Sequence, residues 1–412
     1  MKKVFLILAA VACIAVSCNR DEKGKVLSPD QSKETLDETM TKAVQMLEVD
    51  HWQSTADFIT ASVEVFDSIK SPNASFYEWS GNTMASWSVE NDEYDEICYD
   101  LTKVNGTLKV VGDSLVVEEG TGLNLAYDLP DGTPVAGALT VKNSATKALM
   151  DVDYYWDSDK HDYTDSVLAK RYLIVPASIE GNLTAGTGKV AGMKLTTDVK
   201  LAGEEPRPTD SYAATLQISA EKYVFSITRA KYSPTEVLLD ASIKYDNHTV
   251  VAASFEAKGN LVFDEEDDID VYKTTGKVKA SFSILDNVQV KGDVNFTEFV
   301  KVTEMADSTE ALAKAKALAA EKYTNLTLYI DKTAQAKLGW EPSNAEGYWE
   351  VIPVVRFTDG SEYMLPEEFF SPNGFPKTVE AVNKALAQMD SFLNGGEEEA
   401  EPIKEEAEDI AK

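Results

Sequence analysis

Cys18 is the residue whose position most clearly predicts chemistry. Before it come a basic start, Met1 to Lys3, an apolar run, Val4 to Val16, and the small residue Ser17. A basic start, an apolar stretch of about a dozen residues and a small final residue are typical of a secretory signal peptide. The run is too short to cross a bilayer, since a transmembrane helix needs about 20 apolar residues. The sequence therefore predicts a signal peptide over residues 1–17.

The residues Ala15-Val16-Ser17-Cys18 resemble the lipobox of bacterial lipoproteins, in which small residues precede an obligatory cysteine. The resemblance implies cleavage after Ser17, transfer of a diacylglyceryl group to the Cys18 thiol and acylation of the new amino terminus. Stable anchoring takes more than one acyl chain, so a Cys18 that carries several, such as palmitate, would hold the protein at a membrane.

The segment Asn19-Arg20-Asp21-Glu22-Lys23 resembles the surface-export signal of Bacteroidota-type lipoproteins. That resemblance implies an outer-membrane location with the protein on the cell surface, and the periplasmic face stays open as the alternative. Residues 18–30 are polar and contain Gly24 and Pro29, which suits a flexible lipidated tether.

The other residues that could perform chemistry form no complete motif. His51, His161 and His248 lie far apart, and Cys98 has no histidine at a spacing that would pair with it. The sequence contains no catalytic signature, phosphate-binding loop or paired-cysteine metal site. We expect a protein that is not an enzyme, has no cofactor and no metal, and uses Cys98 as a buried strand residue.

Two acidic segments offer oxygen atoms that calcium prefers as ligands. The cluster Asp264 to Asp268 lacks the glycine turn and the spacing of a usual calcium loop. The segment that starts at Asp157 resembles the beginning of an EF-hand loop, but Asp162 replaces the glycine and Leu168 replaces the bidentate glutamate. We expect solvated turns at both segments.

Aromatic residues suggest a second kind of chemistry, because exposed rings can stack on sugars. The candidates for glycan binding are Trp79, Trp87 and Trp156. The alternative is that these rings bury themselves and attach the helical segment to the sheet. Exposure of the three rings in a row would distinguish the two.

Four serines follow an aspartate in a pattern that resembles the O-glycosylation sequon of exported Bacteroidota-type proteins. These candidate sites are Ser68, Ser114, Ser166 and Ser308.

The charge of the chain restricts its partners. It has 39 basic and 70 acidic side chains, a formal net charge of −31. Such a surface repels phosphate backbones, so we expect no nucleic-acid partner. It also repels anionic headgroups, so an N-terminal lipid rather than surface charge would hold the protein at the membrane. A hydrophobic ligand or a glycan remains as a partner, and the oligomeric state stays open.

The periodicity of apolar residues changes along the chain. Ser28-Pro29 starts a helix, and a second helix presents Ile59, Val63 and Phe66 on one face. From about residue 97 the period becomes two, with turns at Gly112-Asp113 and Asp131-Gly132. Further along the alternation becomes long and clean, with apolar residues on one face of each segment. Met193, Leu195, Val199 and Leu201 form the first, Tyr223, Phe225 and Ile227 the second, and four more segments follow between Val237 and Phe296.

Four strand segments share a glycine between two apolar residues, at Gly106, Gly181, Gly259 and Gly292. A glycine inside a strand often marks a bend or a close approach by another group. The repeat indicates a sheet that bends around a ligand, and four chance matches in a β-rich chain explain it equally well.

These observations predict an α+β fold, in which N-terminal helices pack on a large curved antiparallel β-sheet and a smaller C-terminal α/β portion follows. The expected segments are a signal peptide (1–17), a lipidated tether (18–30), a helical segment (31–96), an antiparallel sheet domain (97–303), a C-terminal α/β portion (304–395) and a disordered acidic tail (396–412).

The predicted arrangement, an antiparallel half-barrel with a helix inside, resembles that of lipid-binding lipoproteins. We therefore expect a non-catalytic, lipid-anchored envelope protein with a groove for a hydrophobic ligand, and the alternative is a surface protein for glycan binding or adhesion.

Overall fold

The computed structural model describes residues 25–48, 51, 53–89, 95–157, 162–262, 273–303, 309–344 and 347–393. Ser17, Cys18, Ser308, the Asp264–Asp268 cluster and the acidic tail lie outside these ranges. The chain has an α+β fold, as predicted, with a mixed sheet. It divides into two units: a terminal unit of residues 1–56 and 235–412, and a middle unit of residues 57–234.

The helices are numbered in chain order. They are α1 (Pro29–Gln45), α2 (Gln53–Asp67), α3 (Ala74–Trp87), α4 (Phe296–Thr303), α5 (Glu310–Tyr323), α6 (Pro366–Phe369) and α7 (Pro376–Leu393). Where the structure describes the chain, none of these helices has both the length and the hydropathy needed to cross a membrane.

The strands of the middle unit are β1 (Ser71–Pro72), β2 (Ser88–Val89), β3 (Asp95–Tyr99), β4 (Gly106–Val111), β5 (Ser114–Glu118), β6 (Leu123–Asp128), β7 (Pro134–Asp157), β8 (Asp162–Ala185), β9 (Gly188–Lys200), β10 (Ser211–Ala220) and β11 (Tyr223–Ser233). Those of the terminal unit are β12 (Glu236–Tyr245), β13 (His248–Asn260), β14 (Thr275–Ile284), β15 (Val288–Val294), β16 (Thr324–Ile330), β17 (Thr333–Ser343) and β18 (Glu350–Phe357).

In the terminal unit, β12 to β18 form an antiparallel meander in chain order. One cluster of buried residues joins this sheet to α1 and to the segment around α6, and it includes Leu36, Ile330, Phe357 and Phe369. A second cluster packs α4 and α5 around Trp340. Helices therefore cover the apolar side chains of β15 to β18, whereas Leu239 of β12 is 40% exposed.

Helix α1 begins where the sequence predicts. The Ser28 side chain accepts a hydrogen bond from the Gln31 backbone N–H, and the Gln31 side chain accepts one from the Ser28 backbone N–H. This reciprocal pair satisfies two backbone donors that a helix start leaves without partners. Pro29 follows at the first helical position, where its fixed φ suits a helix.

The start of α7 takes its cap from α1. The carboxylate of Asp37, which is only 4% exposed, accepts hydrogen bonds from the backbone N–H groups of Lys377 at 3.2 Å and Thr378 at 2.8 Å. It also accepts one from the Thr378 hydroxyl at 2.7 Å. Since the first N–H groups of a helix have no partner within it, this carboxylate fixes α7 against α1.

We predict that Asp37→Ala lowers the free energy of unfolding by about 2 kcal/mol, because it removes a helix cap and leaves the backbone donors of Lys377 and Thr378 without that acceptor. The control is Glu38→Ala, which removes only a half-exposed ion pair with Lys377 and should change stability by less than about 1 kcal/mol. Urea unfolding of both variants gives the comparison, and equal losses would contradict the role of Asp37.

In the middle unit, β6 to β11 form an antiparallel run. Three pairs are parallel, however: β1 with β5, β4 with β6 and β3 with β8. The prediction of an antiparallel sheet was therefore incomplete. Strands β4 and β5 form a hairpin with a tight turn at Gly112-Asp113, so β5 occupies one edge of β4. Strand β6 pairs with the opposite edge of β4 and runs in the same direction as β4.

The two units do not follow the predicted segment boundaries. The segment 31–96 is divided, since α1 belongs to the terminal unit and α3 to the middle unit. The segment 97–303 is divided between Pro234 and Thr235. The segment 304–395 forms no separate portion, because β16 pairs with β15 and extends the sheet that precedes the helices.

Helix α2 forms as predicted, but its apolar face is not its buried face. Ile59, Val63 and Phe66 are 41%, 50% and 39% exposed. The buried residues of α2 are small: Thr55, Ala56 and Ser62, and the Ser62 hydroxyl hydrogen-bonds the Tyr127 hydroxyl at 2.7 Å. A close approach of the helix backbone to Tyr127 favours small side chains at the contact.

Candidate ligand-binding face

Strands β9, β10 and β11 contain no buried residue, although each has an apolar side. In a strand, successive side chains point to opposite faces of the sheet. Met193 and Leu195 therefore share one face of β9, and Lys194 and Thr196 share the other. The cross-strand partners of the polar pair are polar too, Gln217 and Thr215.

The register aligns the apolar residues of five strands, β7 to β11, into two rows. The first row contains Leu139, Gly181, Met193, Ile218 and Phe225. The second row lies beside the first and contains Val141, Ile179, Leu195, Leu216 and Ile227. We call these two rows the apolar face. Strands lie about 4.8 Å apart, so the face is roughly 19 Å long across the strands.

The apolar face is partly open to solvent. Ile218 is 42% exposed and Phe225 is 36% exposed, and the remaining side chains of the rows are half-buried. In the terminal unit, by contrast, the apolar residues Ile330 of β16 and Phe357 of β18 are only 1% and 7% exposed. A contiguous apolar surface that stays in contact with water is typical of a site for a ligand or partner.

A cleft of about 270 Å³ opens at the β7 end of the apolar face. Leu139 and Val141 belong to both the cleft and the apolar face. The apolar residues Leu101, Val104 and Leu123 also line the cleft. Small-molecule sites usually measure about 300–1,000 Å³. The cleft alone is therefore small, and the face extends the apolar surface beyond it.

Asp100 holds the short 3₁₀ turn that forms one wall of the cleft. Its carboxylate accepts hydrogen bonds from the Thr102 backbone N–H at 2.9 Å, the Thr102 hydroxyl at 2.6 Å and the Asn143 side-chain amide at 2.7 Å. Partial burial raises the pKa of Asp100, but these hydrogen bonds outweigh it and leave the pKa below its ordinary value. The turn is thereby attached to β7 by an ionised group.

Gly181 is the one repeated glycine that lies on the apolar face. It pairs with Leu139 across the strands, and a Cβ at Gly181 would lie 3.3 Å from Leu139 Cδ1. Leu139 therefore leans over the glycine at the rim of the cleft. Gly292 instead allows the backbone of Asn325 on the neighbouring strand to come close, since a Cβ at Gly292 would overlap that backbone. The repeat thus has no single structural role.

A second cluster of chemistry-bearing side chains joins β3 to β7 and β8. Lys147 donates a hydrogen bond to the Glu96 carboxylate, and the Cys98 thiol donates to the same carboxylate at 3.1 Å. The Lys147 ammonium also lies 3.7 Å from the centre of the Tyr172 ring. Tyr172 is 1% exposed, and its hydroxyl donates to Glu204 at 3.0 Å.

The pKa shifts in this cluster disfavour nucleophilic chemistry. Partial burial and the hydrogen bond to Glu96 raise the pKa of the Cys98 thiol. Burial lowers the pKa of Lys147, but the hydrogen bond to Glu96 outweighs it and the pKa is raised overall. Because both groups keep their protons at neutral pH, the cluster supplies neither a thiolate nor a neutral amine. Its effect is to hold β3 beside β8.

The three tryptophans predicted as glycan sites lie in different environments. Trp79 and Trp87 are half-buried, and their ring N–H groups donate to the carbonyl oxygens of Asn105 at 2.6 Å and Asp100 at 3.1 Å. Both rings therefore attach α3 to the sheet, as in the alternative to glycan binding that the sequence left open. Of the three, only Trp156 is exposed, at 52%. They do not form an exposed row.

Of the candidate glycosylation sites, Ser68 and Ser166 are exposed and Ser114 is half-buried in β5, while Ser308 lies outside the described residues. Cys18 and the cut after Ser17 also lie outside them. Among the residues that the structure describes, no group of three or more His, Cys, Asp or Glu side chains could hold a metal ion.

Sequence reasoning missed the wall of the cleft and the Glu96–Lys147 pair. Asp100 with Thr102 has the spacing of an aspartate that hydrogen-bonds the backbone two residues on, and that signal could have located the turn. Nothing in the sequence relates Glu96 to Lys147, which are 51 residues apart. Protein-family models, curated proteins and solved structures were compared with the chain, and none is similar to it.

We predict that Glu96→Gln lowers the free energy of unfolding by about 1 kcal/mol at pH 7, a modest value because a third of the Lys147 side chain is in solvent, which screens the pair. The hydrogen bond from Lys147 lowers the pKa of Glu96, so its contribution is present above the unfolded pKa of about 4.3 and is lost as the pH falls through the folded pKa.

Urea unfolding between pH 7 and pH 3 checks this expectation. The difference between the two proteins should shrink below about pH 4. The control is Glu119→Gln, which changes an exposed carboxylate and should show no such trend. A difference that grows as the pH falls would contradict the assignment.

Proposed function

We propose that this chain is a lipid-anchored, non-catalytic lipoprotein of the cell envelope, whose apolar face and cleft bind a lipid-like ligand. The observation that carries the proposal is the absence of any buried residue in β9, β10 and β11 beside their aligned apolar side chains. In this proposal the two rows would form the floor of the curved-sheet groove that the sequence predicts.

The chemistry of the face favours an acyl chain. Its side chains are mostly aliphatic, and neither row contains a charged residue. Each buried methylene contributes about 0.8 kcal/mol, so a chain of about twelve would gain roughly 10 kcal/mol at full burial. That gain is similar to the free-energy cost of the translational and rotational freedom lost on association, about 4–15 kcal/mol. The ligand must therefore enter the cleft as well as lie on the face.

The anchor completes the proposal. Lipidation of Cys18 would place the protein at the outer membrane, on the cell surface or on the periplasmic face. With a net charge of −31, the protein would gain no attraction from anionic headgroups. The lipid on Cys18 is therefore the element that keeps the apolar face near a source of acyl chains.

We predict that Ile218→Asn weakens palmitate binding at least about tenfold, because it places an amide group in the middle of the apolar face and costs more than about 1.4 kcal/mol. The protein for this experiment is the chain from residue 18 with Cys18→Ser, which carries no lipid of its own. Titration calorimetry with palmitate gives the affinity.

The matched control is Gln217→Asn, which changes the neighbouring residue on the opposite, polar face and should leave the affinity unchanged. Equal losses in both variants would show that the effect is not located at the apolar face. A parent protein that binds neither palmitate nor its neutral monoglyceride would contradict the proposal, since the net charge of −31 opposes only the anion.

We predict that Cys18→Ser abolishes membrane anchoring, because the thiol is the only acceptor for the lipid in the lipobox. Radiolabelled palmitate should label the parent protein but not the variant, and the variant should leave the membrane fraction. The control is Cys13→Ser, which lies within the signal peptide and should preserve labelling. A labelled, membrane-bound Cys18→Ser protein would contradict the anchor.

A further inference from the structure

The paired ends of β7 and β8 carry a group of exposed aromatic rings at some distance along the strands from the apolar face. Along β8, strand β9 pairs with Ser178–Ala185 and β3 with Ala169–Leu173. In the described part of the chain, residues 162–167 pair with β7 alone. These strand ends therefore form a two-stranded ribbon.

Four rings of the ribbon are exposed. Tyr154 is 43% exposed, Tyr155 51%, Trp156 52% and Tyr163 66%. We call these four residues the aromatic ribbon. The pairing shifts register between Tyr154 and Trp156, so strand alternation does not place these two rings on one face. Tyr163 pairs with Trp156, and the two rings meet edge to face, with centres 4.9 Å apart.

The charges around the ribbon exclude some partners. Arg171 at its base binds both Asp151 at 3.2 Å and Asp153 at 2.5 Å. This guanidinium is occupied by two carboxylates, so it offers little to a phosphate or sulfate group. The chain as a whole carries a net charge of −31, which further repels anionic ligands. An anionic partner is therefore excluded. Since Arg171 also occupies the carboxylates of Asp151 and Asp153, these offer little to a cation, which favours a neutral partner.

A membrane surface is a poor partner for the same ribbon. Tyrosine and tryptophan do favour the boundary between lipid and water. Strand β7 ends at Asp157 and β8 begins at Asp162, and the sequence 157–162 includes three aspartates and one lysine. In the chain these residues lie between Trp156 and Tyr163, so insertion of both rings would bring this acidic segment to the bilayer. An aspartate at the centre of a bilayer costs about 2.5–3.5 kcal/mol, so the acidic segment opposes insertion.

We propose that the aromatic ribbon binds a neutral oligosaccharide. The apolar faces of sugar rings would stack on Trp156 and on the tyrosine rings, and the tyrosine hydroxyls would hydrogen-bond the sugar hydroxyls. The partly exposed rings retain the open area that stacking needs, unlike Trp79 and Trp87, which are half-buried against the sheet. This site is separate from the apolar face and does not depend on the function proposed for it.

Titration calorimetry with three neutral hexasaccharides, of α-1,4-glucose, β-1,4-glucose and β-1,4-N-acetylglucosamine, tests the proposal. We expect saturable binding of at least one and a loss of at least tenfold in Trp156→Ala. Trp156→Phe keeps a ring in place and should retain binding within a few-fold. The control is Tyr77→Ala, which removes an exposed ring (61%) on α3 and should leave the affinity unchanged.

Circular dichroism shows whether each variant is folded, and Tyr163→Ala provides a second test of the ribbon if Trp156→Ala is not. The absence of saturable binding to all three sugars would overturn the proposal. So would equal affinity of the parent and the two alanine variants of the ribbon. Binding only to phosphatidylcholine vesicles, lost in Trp156→Ala, would overturn it in favour of a membrane contact.

Discussion

The structure depends on one constraint: a strand whose side chains alternate between apolar and polar creates an apolar face, and that face must be covered. In the terminal unit, helices α1, α4, α5 and α6 supply the cover, and Trp340 and Phe357 become buried. In the middle unit, α3 packs on β5 and β3 rather than on β9 to β11. The same sequence pattern therefore produces a core in one unit and an open apolar face in the other.

Polar contacts fix the surroundings of that open face. Asp100 attaches the wall of the cleft to β7 through Asn143, and the Glu96–Lys147 pair holds β3 beside β8. Both carboxylates have lowered pKa values, so both are ionised under neutral conditions. Asp100 thus holds one wall of the cleft beside the aliphatic face, while the Glu96–Lys147 pair lies further along β7 and β8.

Local signals in the sequence predicted the local structure well. Ser28-Pro29 starts α1, Gly112-Asp113 turns β4 into β5, and the alternation of Met193 and Leu195 places them on one face. What failed were statements about partners distant in the chain. For α2 the pattern predicted one apolar face but no partner for it; contact with Tyr127 buries the small residue Ser62, and Val63 is exposed. The parallel pairs and the cap of α7 by Asp37 also join residues that no local pattern relates.

The central claim is that the apolar face holds a lipid, and native mass spectrometry tests it most directly. The chain with Cys18→Ser would be purified from the cell envelope of its own organism, without detergent. The account predicts a complex heavier than the protein by the mass of one lipid, which separates on denaturation and appears in the lipid extract. A protein of unaltered mass, with no lipid in the extract, would contradict it and leave the face without a ligand.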